Sequence, residues 1–520
     1  MERYFNTTGV CINIKHYMVN IDGKLKKIEK LIDRGSYLTI NKPRQFGKTT
    51  TLALLKKRLK EKYIVINCSF EGIGESTFLD EGKFAKEFIS LMAISLENTY
   101  NDYSKELYKS INEVVDLTSL SKAITKLVKG CNKEVILFID EVDKSSDNQL
   151  FLSFLGMLRN KYLMREMDED FTFKSVVLAG VYDVKSLKLK LRNSDEIKYN
   201  SPWNIAVKFS VDMSFDVEEI LTMIDDYTST NNINMNNRDI SERIYYFTNG
   251  YPFLVSRICN IIDEDIYMDS KVAWNIDDID KSVKIILSEQ NTLFDSLIKN
   301  LENNEDLYSY IKDIIIGGAT KTFNIDNPLV NLGVTFGYFK NNDGKIEIAN
   351  QIFLERIYNY MVSKMENKSN NMDKYNFKNN FITEDNGLDI EQVLNKFKQY
   401  MKENYSSVDE AFIEREGRLI FLAFIAPIIN GVGFALKEVQ ISEEKRLDVV
   451  ITYNNFKYII ELKVWRGEVY HQKGIKQLSN YLDIHGMYKG YLVIFNFNKN
   501  KEYKEEKINV DSKDIFSVYV

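Results

Sequence analysis

The stretch Asn41-Lys42-Pro43-Arg44-Gln45-Phe46-Gly47-Lys48-Thr49-Thr50 follows a short β-rich run at 37–40 and opens a helical stretch at 50–60. All but its start fits the pattern G-x-x-x-x-G-K-[ST], a loop whose backbone N–H groups cradle phosphate at a helix N-terminus. Lys42 stands where the pattern has its first glycine. Gly47 lets the backbone approach phosphate, and the N–H groups from Gln45 to Thr50 are expected to point at it. Pro43, Arg44, Gln45, Phe46, Gly47, Lys48, Thr49 and Thr50 are therefore the candidate loop. Lys48 is expected to reach the β- and γ-phosphates and Thr49 to ligate Mg²⁺. A strand–turn–helix corner with a surface lysine has the same local pattern.

A second motif decides between the two. Val135-Ile136-Leu137-Phe138-Ile139 is an apolar run ending in Asp140-Glu141. A parallel sheet places ligand chemistry at the C-terminal ends of its strands. Asp140 is expected to hold Mg²⁺ through water, and Glu141 to polarise the attacking water. The two motifs, in this order, predict binding of ATP or GTP with Mg²⁺. Further β-rich runs at 63–68, 175–181 and 205–210 alternate with helical stretches such as 150–164. That alternation predicts a parallel sheet covered on both faces over 1–215.

Residues 42–49, 137–143, 175–183 (SVVLAGVYD) and Asn249-Gly250-Tyr251-Pro252-Phe253-Leu254 resemble the additional-strand class of P-loop NTPases. More narrowly, they resemble the AAA-like ATPases of bacteria, over about residues 4–360. The resemblance implies a five-stranded core, a helical lid and a winged helix. It puts a γ-phosphate sensor at Tyr182 or Asp183, although neither is the usual Asn, Ser or Thr. It makes Arg192 a candidate arginine finger and Arg257 a candidate lid sensor, against surface or ion-paired roles for each. His16-Tyr17 falls where such proteins enclose adenine, or serves packing.

At 520 residues the chain is too long for one core. The region 216–365 reads as amphipathic helices at 215–230 and 251–263, two more at 293–300 and 307–316, then strand 329–339, turn Asn341-Asn342-Asp343-Gly344 and strand 345–349. Helices followed by a hairpin predict the winged helix. The polar segment 366–387 reads as a linker. The tail, 388–520, reads helix 389–402, helix 407–425, strands 434–440, 447–453 and 457–464, helix 473–484 and strand 490–496.

That tail carries a carboxylate–lysine pattern. Glu461 and Lys463, two apart in a strand, project from one face, and Asp448 can lie beside them on the paired strand. A carboxylate in an apolar strand is costly unless paired or metal-bound. Asp448, Glu461 and the Leu462 carbonyl are candidate Mg²⁺ ligands, with Lys463 to orient water or offset developing charge. A solvent-facing E-x-K ion pair is the alternative. The spacing D-(x12)-E-x-K, Glu416 on the preceding helix and Gln477-Leu478-Ser479-Asn480-Tyr481 on the following one resemble the PD-(D/E)xK nucleases over about 388–500. Leu447 replaces their leading proline. The resemblance implies a restriction-endonuclease-like α/β/α domain, with Glu416, Asp448, Glu461, Lys463 and Gln477 catalytic. Lys445, Arg446, Arg466, Lys473 and Lys476 are candidate phosphate contacts. His471 and His485 read as structural or exposed.

The formal charge of −6 argues against coating nucleic acid with a basic surface, though not against a local basic groove. Cys11, Cys68, Cys131 and Cys259 form no C-x-x-C pair, as in a reducing cytoplasm. No signal peptide and no membrane span are read. The sequence thus predicts an α/β P-loop NTPase with helical lid and winged helix, fused to a nuclease-like domain. DNA is the expected partner, and a homo-oligomer is compatible with the class. Genome defence or mobile-element biology follows by analogy. The rival reading is a signalling or DNA-binding NTPase switch with an inactive nuclease-like scaffold. A third is an integration helper, which needs no tail site.

Overall fold

The computed structural model describes residues 2–142, 149–181, 212–268, 270–316, 319–367, 372–405, 410–429, 433–437, 448–454, 456–484, 486–496, 498 and 501–520. The chain divides into two compact units. One is Met1–Leu297 with Ile325–Lys340 and Glu347–Phe353; the other is Ile298–Asn324, Asn341–Ile346 and Leu354–Val520.

The first unit runs α1 (Asp22–Asp33), β1 (Leu38–Asn41), α2 (Lys48–Leu59), β2 (Ile64–Ser69), α3 (Glu81–Leu96), α4 (Asn101–Ser110), α5 (Leu117–Gly130), β3 (Val135–Asp140), α6 (Gln149–Glu166) and β4 (Ser175–Gly180). Among the described residues the sheet has the order β1-β4-β3-β2, all parallel. The loop-bearing β1 and the acid-bearing β3 are thus separated by β4, the additional strand of the resemblance. The expected fifth strand, 205–210, lies outside the described residues. Every residue of β3 and β4 is buried, because both faces are covered. On one face Ile66, Leu137, Ile139 and Leu178 join Phe84, Phe88, Phe151 and Phe154 in a continuous core. On the other, α2 packs along β2, β3 and β4.

The lid helices follow as α7 (Val217–Asn231), α8 (Asn237–Thr248), α9 (Pro252–Asn260) and α10 (Ile276–Ser288). Capping boxes at Asp216 and Asn275 fix the starts of α7 and α10. A wider helical turn, Ile261–Ile266, extends α9.

Next come α11 (Thr292–Glu302), α12 (Glu305–Ile315), α13 (Pro328–Thr335), β5 (Phe339–Asn342) and β6 (Lys345–Ile348). The strand expected at 329–339 is mostly helix. Pro328 occupies the first helical turn, and the Asn327 side chain accepts from the Leu329 and Val330 N–H groups, so the apolar run starts as a helix. The hairpin forms as expected, with Asp343 and Gly344 both at positive φ.

α14 (Gln351–Glu366) passes from the first unit into the second, which continues with α15 (Ile390–Tyr405), α16 (Glu410–Ile429), β7 (Gly433–Lys437), β8 (Asp448–Tyr453), β9 (Phe456–Val464), α17 (Glu468–Ile484), β10 (Lys489–Phe495), β11 (Glu505–Val510) and β12 (Lys513–Tyr519). Its sheet has the order β11-β12-β10-β9-β8-β7. β7, β8 and β9 form an antiparallel meander, after which α17 crosses to the parallel β10. Sequence reading left out β11 and β12. The segment 366–387, expected as a linker, is packed in its later part. Met372 and Phe381 are buried, and the buried Asn376 side-chain amide donates to the Phe424 carbonyl at 3.0 Å. Its polar composition concealed those anchors.

No helix among the described residues is long and apolar enough to cross a membrane.

Candidate functional site

The loop between β1 and α2 makes two left-handed corners, with Gln45 at φ 56° and Gly47 at φ 76°. Gly47 is the N-cap of α2 and leaves that helix without a side-chain cap. The first bond of the helix runs from the Thr51 N–H to the Gly47 carbonyl, 2.9 Å. The N–H groups of Lys48, Thr49 and Thr50 precede it, at the end where the helix dipole favours an anion. Lys42 is not among the positive-φ residues. Its N–H donates to the Gly180 carbonyl at 3.0 Å, as a strand extension would. A side chain is therefore tolerated where the usual pattern has glycine. That side chain lies over the Phe46 ring, 5.4 Å from its centroid, and 3.7 Å from Asp212. Burial lowers the pKa of Lys42, with Asp212 opposing.

Lys48 is buried, and its ammonium donates to the carbonyls of Lys42 at 2.9 Å and Pro43 at 3.0 Å. Phosphate oxygens are acceptors of the same kind and can take the place of these carbonyls. The Thr49 hydroxyl donates to Asp140 Oδ2 at 2.7 Å, joining the loop to the end of β3. Asp140 is 5% exposed, and its other oxygen accepts the Glu141 N–H at 3.0 Å. Glu141 itself has φ 56°, so the chain turns sharply between the two acids. A hydroxyl and a carboxylate from separate elements, both oxygen donors, fit a hard cation such as Mg²⁺. Among the described residues no group of three or more His, Cys, Asp or Glu gathers for a metal.

The other loop residues have specific contacts. Thr50 accepts the Cys11 N–H at 3.2 Å, pinning the N-terminal segment to α2. Arg44 is exposed, while its carbonyl accepts the Tyr251 hydroxyl. Phe46 is buried against the Tyr251 ring. Sequence reading singled out the Asn249–Leu254 motif but not these contacts, of which the Tyr251–Arg44 bond joins residues 207 apart.

Tyr182, Asp183 and Arg192 lie outside the described residues. Arg257 is held by Glu289, Asp265 and Asn260, the ion-paired role rather than a free lid sensor. His16 and Tyr17 are buried. His16 Nδ1 accepts the Ile12 N–H at 2.8 Å, and Tyr17 packs on Phe5 and Tyr227. These are packing contacts.

In the second unit, register sets Asp448 directly opposite Glu461 on antiparallel strands. Glu461 is 2% exposed and lies 3.1 Å from the Lys463 ammonium. Lys463 also donates to Gln477 Oε1 at 3.4 Å, from α17. Helix and strand meet closely here: a Cβ on Gly474 would lie 2.0 Å from the Lys463 nitrogen. Leu462 is paired with Val493 within the sheet. Glu416 is buried and ion-paired with Lys312 of α12, a partner the sequence did not indicate. His471 is structural as expected, 3.2 Å from the Tyr519 hydroxyl and against Trp465, with its pKa lowered chiefly by burial. Arg466, Lys473 and Lys476 are exposed on or beside α17. Lys445, Arg446, Leu447 and His485 lie outside the described residues.

The inserted β4, the left-handed Gly47 at the head of α2 and the Thr49–Asp140 bond define a P-loop NTPase domain of the additional-strand type. The chain belongs to the AAA-like domain family, whose model matches residues 6–358. Among solved structures it is similar to a Walker-type ATPase of Pyrococcus abyssi, at 12% identity over 68% of this chain and 99% of that one, TM-score 0.46. It is also similar to the ORC2 protein of Aeropyrum pernix, at 12% identity over 69% and 98%, TM-score 0.41. A third is the RuvB Holliday junction branch migration motor of Thermotoga maritima, at 14% identity over 63% and 92%, TM-score 0.33. No curated protein matches the chain.

Proposed function

We propose that the chain binds and hydrolyses ATP, and that its nucleotide state governs a metal-dependent phosphodiesterase site in the C-terminal region that acts on DNA. The observation that carries the ATP reading is the Thr49–Asp140 bond at 2.7 Å, which brings the loop and the acidic strand end together. Lys48 and the N–H groups at the head of α2 bind the phosphates. Thr49 and Asp140 would hold Mg²⁺, which supplies charge neutralisation at the transferring phosphate. Glu141 accepts a proton from the attacking water.

The phosphodiesterase reading rests on the buried Glu461–Lys463–Gln477 contact and on the order α16, β7, β8, β9, α17, β10. Glu461, with Asp448 opposite, would hold a metal ion that supplies Lewis acidity and an activated water. Lys463 orients that water, and Gln477 fixes Lys463. Three helices followed by the β5–β6 hairpin support a winged helix as the DNA-contacting element. A second reading, an NTPase switch with a silent tail, is favoured by the directness of the Glu461–Lys463 ion pair.

The test incubates plasmid with the full chain and Mg²⁺ or Mn²⁺, with and without ATP, beside Glu461→Gln and Lys48→Ala. Metal-dependent cleavage by the wild-type chain, lost in Glu461→Gln, is expected. Cleavage that Glu461→Gln leaves intact sinks the nuclease assignment. No cleavage by any form selects the silent-tail reading.

A further inference from the structure

The phosphate loop is braced from outside by residues that the ATP reading does not use. Pro43 lies against Gly337, where a Cβ would meet the proline ring at 2.8 Å. The Arg44 carbonyl accepts the Tyr251 hydroxyl. The Gln45 side chain donates to the Thr292 hydroxyl at 3.0 Å. The Phe46 ring stands edge-on to Tyr251 with centroids 4.9 Å apart. Four consecutive loop residues are thus each held by a segment at least 200 positions further along the chain.

Tyr251 is fixed in turn. Gly250 before it has φ 71°, and a Cβ there would sit 1.8 Å from the Phe215 carbonyl oxygen. Pro252 starts α9 immediately afterwards. Phe353 packs edge-on to the same ring at 5.2 Å. Tyr251 is 4% exposed, and a buried hydroxyl needs a partner. The Arg44 carbonyl supplies it.

The consequence follows from peptide geometry. Across a trans peptide the carbonyl and the next N–H point in opposite directions, and no cis bond occurs among the described residues. Anchoring the Arg44 carbonyl therefore sets the direction of the Gln45 N–H, a donor of the phosphate cradle. We propose that Tyr251 is a positioning residue for the phosphate loop: it aims the Gln45 N–H at bound phosphate and ties loop occupancy to α9. This rests on the ATP reading.

The test is Tyr251→Phe in the full chain, which keeps the ring and removes the hydroxyl. The Kd for ATP and for ADP is measured with Mg²⁺. Hydrogen exchange of amides in α9 is followed with and without saturating ADP. Weakening of about fivefold to tenfold is expected, the worth of one buried hydrogen bond. The ADP-induced slowing of exchange in α9 is expected in the wild type and reduced in the variant. A merely structural role would lower the melting temperature and leave both readouts unmoved. If both are unmoved, the proposal is overturned. Should Tyr251→Phe fail to fold, Thr292→Val removes the neighbouring brace without touching α9. About twofold weakening there supports the proposal, and an unchanged Kd overturns it. A wild-type chain that binds no nucleotide overturns the ATP reading, and this one with it. Wild-type binding with both readouts unmoved in Tyr251→Phe overturns this one alone.

Discussion

Lys48 and Lys463 are both buried lysines with an acid in the same site, yet the two sites are built differently. Lys48 donates to the neutral carbonyls of Lys42 and Pro43, while Asp140 accepts from the neutral Thr49 hydroxyl. Cation and anion come from separate elements, each held by partners that a ligand can replace. Lys463 instead meets Glu461 two residues away on the same face of β9. There the charges compensate one another, and a metal on Glu461 must share the carboxylate with an ammonium. The first arrangement suits a ligand carrying its own negative charge. In the second, carboxylate and ammonium face each other directly at 3.1 Å.

Four measurements press on that contrast. The largest effect is expected in Glu141→Gln: ATP turnover should fall about 10²- to 10⁴-fold with nucleotide affinity retained, the usual worth of a general base. Turnover like the wild type's would remove Glu141 from the chemistry. Next is Lys463→Ala. It removes a cation 3.1 Å from Glu461, which is 2% exposed, and breaking a buried ion pair costs about 3–5 kcal/mol in denaturant unfolding. The double variant Glu461→Gln/Lys463→Met should recover most of that loss. A single variant as stable as the wild type would mean that the Glu461–Lys463 contact carries little stability.

Lys48→Ala probes the other site. It removes the donor to the Lys42 and Pro43 carbonyls, which are neutral acceptors. It should weaken ATP binding about 10- to 100-fold, as the loss of a charge-assisted hydrogen bond. Equal binding in a calorimetric titration would undo the phosphate-loop assignment. The smallest effect is a pH slope. Burial, and then Lys15, lowers the pKa of His16 from 6.5. Protonating Nδ1 would also break its bond from the Ile12 N–H. Below pH 6.5 the unfolded chain binds a proton that the folded ring resists, so stability is complete above that pH and falls beneath it. Melting temperatures followed from about pH 7.5 to about pH 5.5 should decline, and less so in His16→Gln. His471, lowered mainly by burial, has the same sign in the second unit.

Much of this was legible in the residues. Gly47-Lys48-Thr49 between a strand and a helix, followed by the apolar run ending in Asp140-Glu141, placed the phosphate loop and the acid pair, because both depend on local spacing. Alternation in the tail placed Glu461 beside Lys463 for the same reason. Local pattern misled at 329–335, where an apolar run reads alike as strand or helix until the Asn327 cap and Pro328 are weighed. It also misled at 366–387, where Met372, Asn376 and Phe381 are anchors scattered among polar residues.

The sequence by itself determined the strand-and-helix alternation, the loop and the acids, since each is written within a few consecutive residues. Only the tertiary structure decided that β4 lies between β1 and β3, that Lys312 neutralises Glu416, and that Tyr251 grips the Arg44 carbonyl. Those contacts join residues about a hundred to two hundred positions apart, and no local periodicity or spacing encodes which distant partner a buried polar group will find.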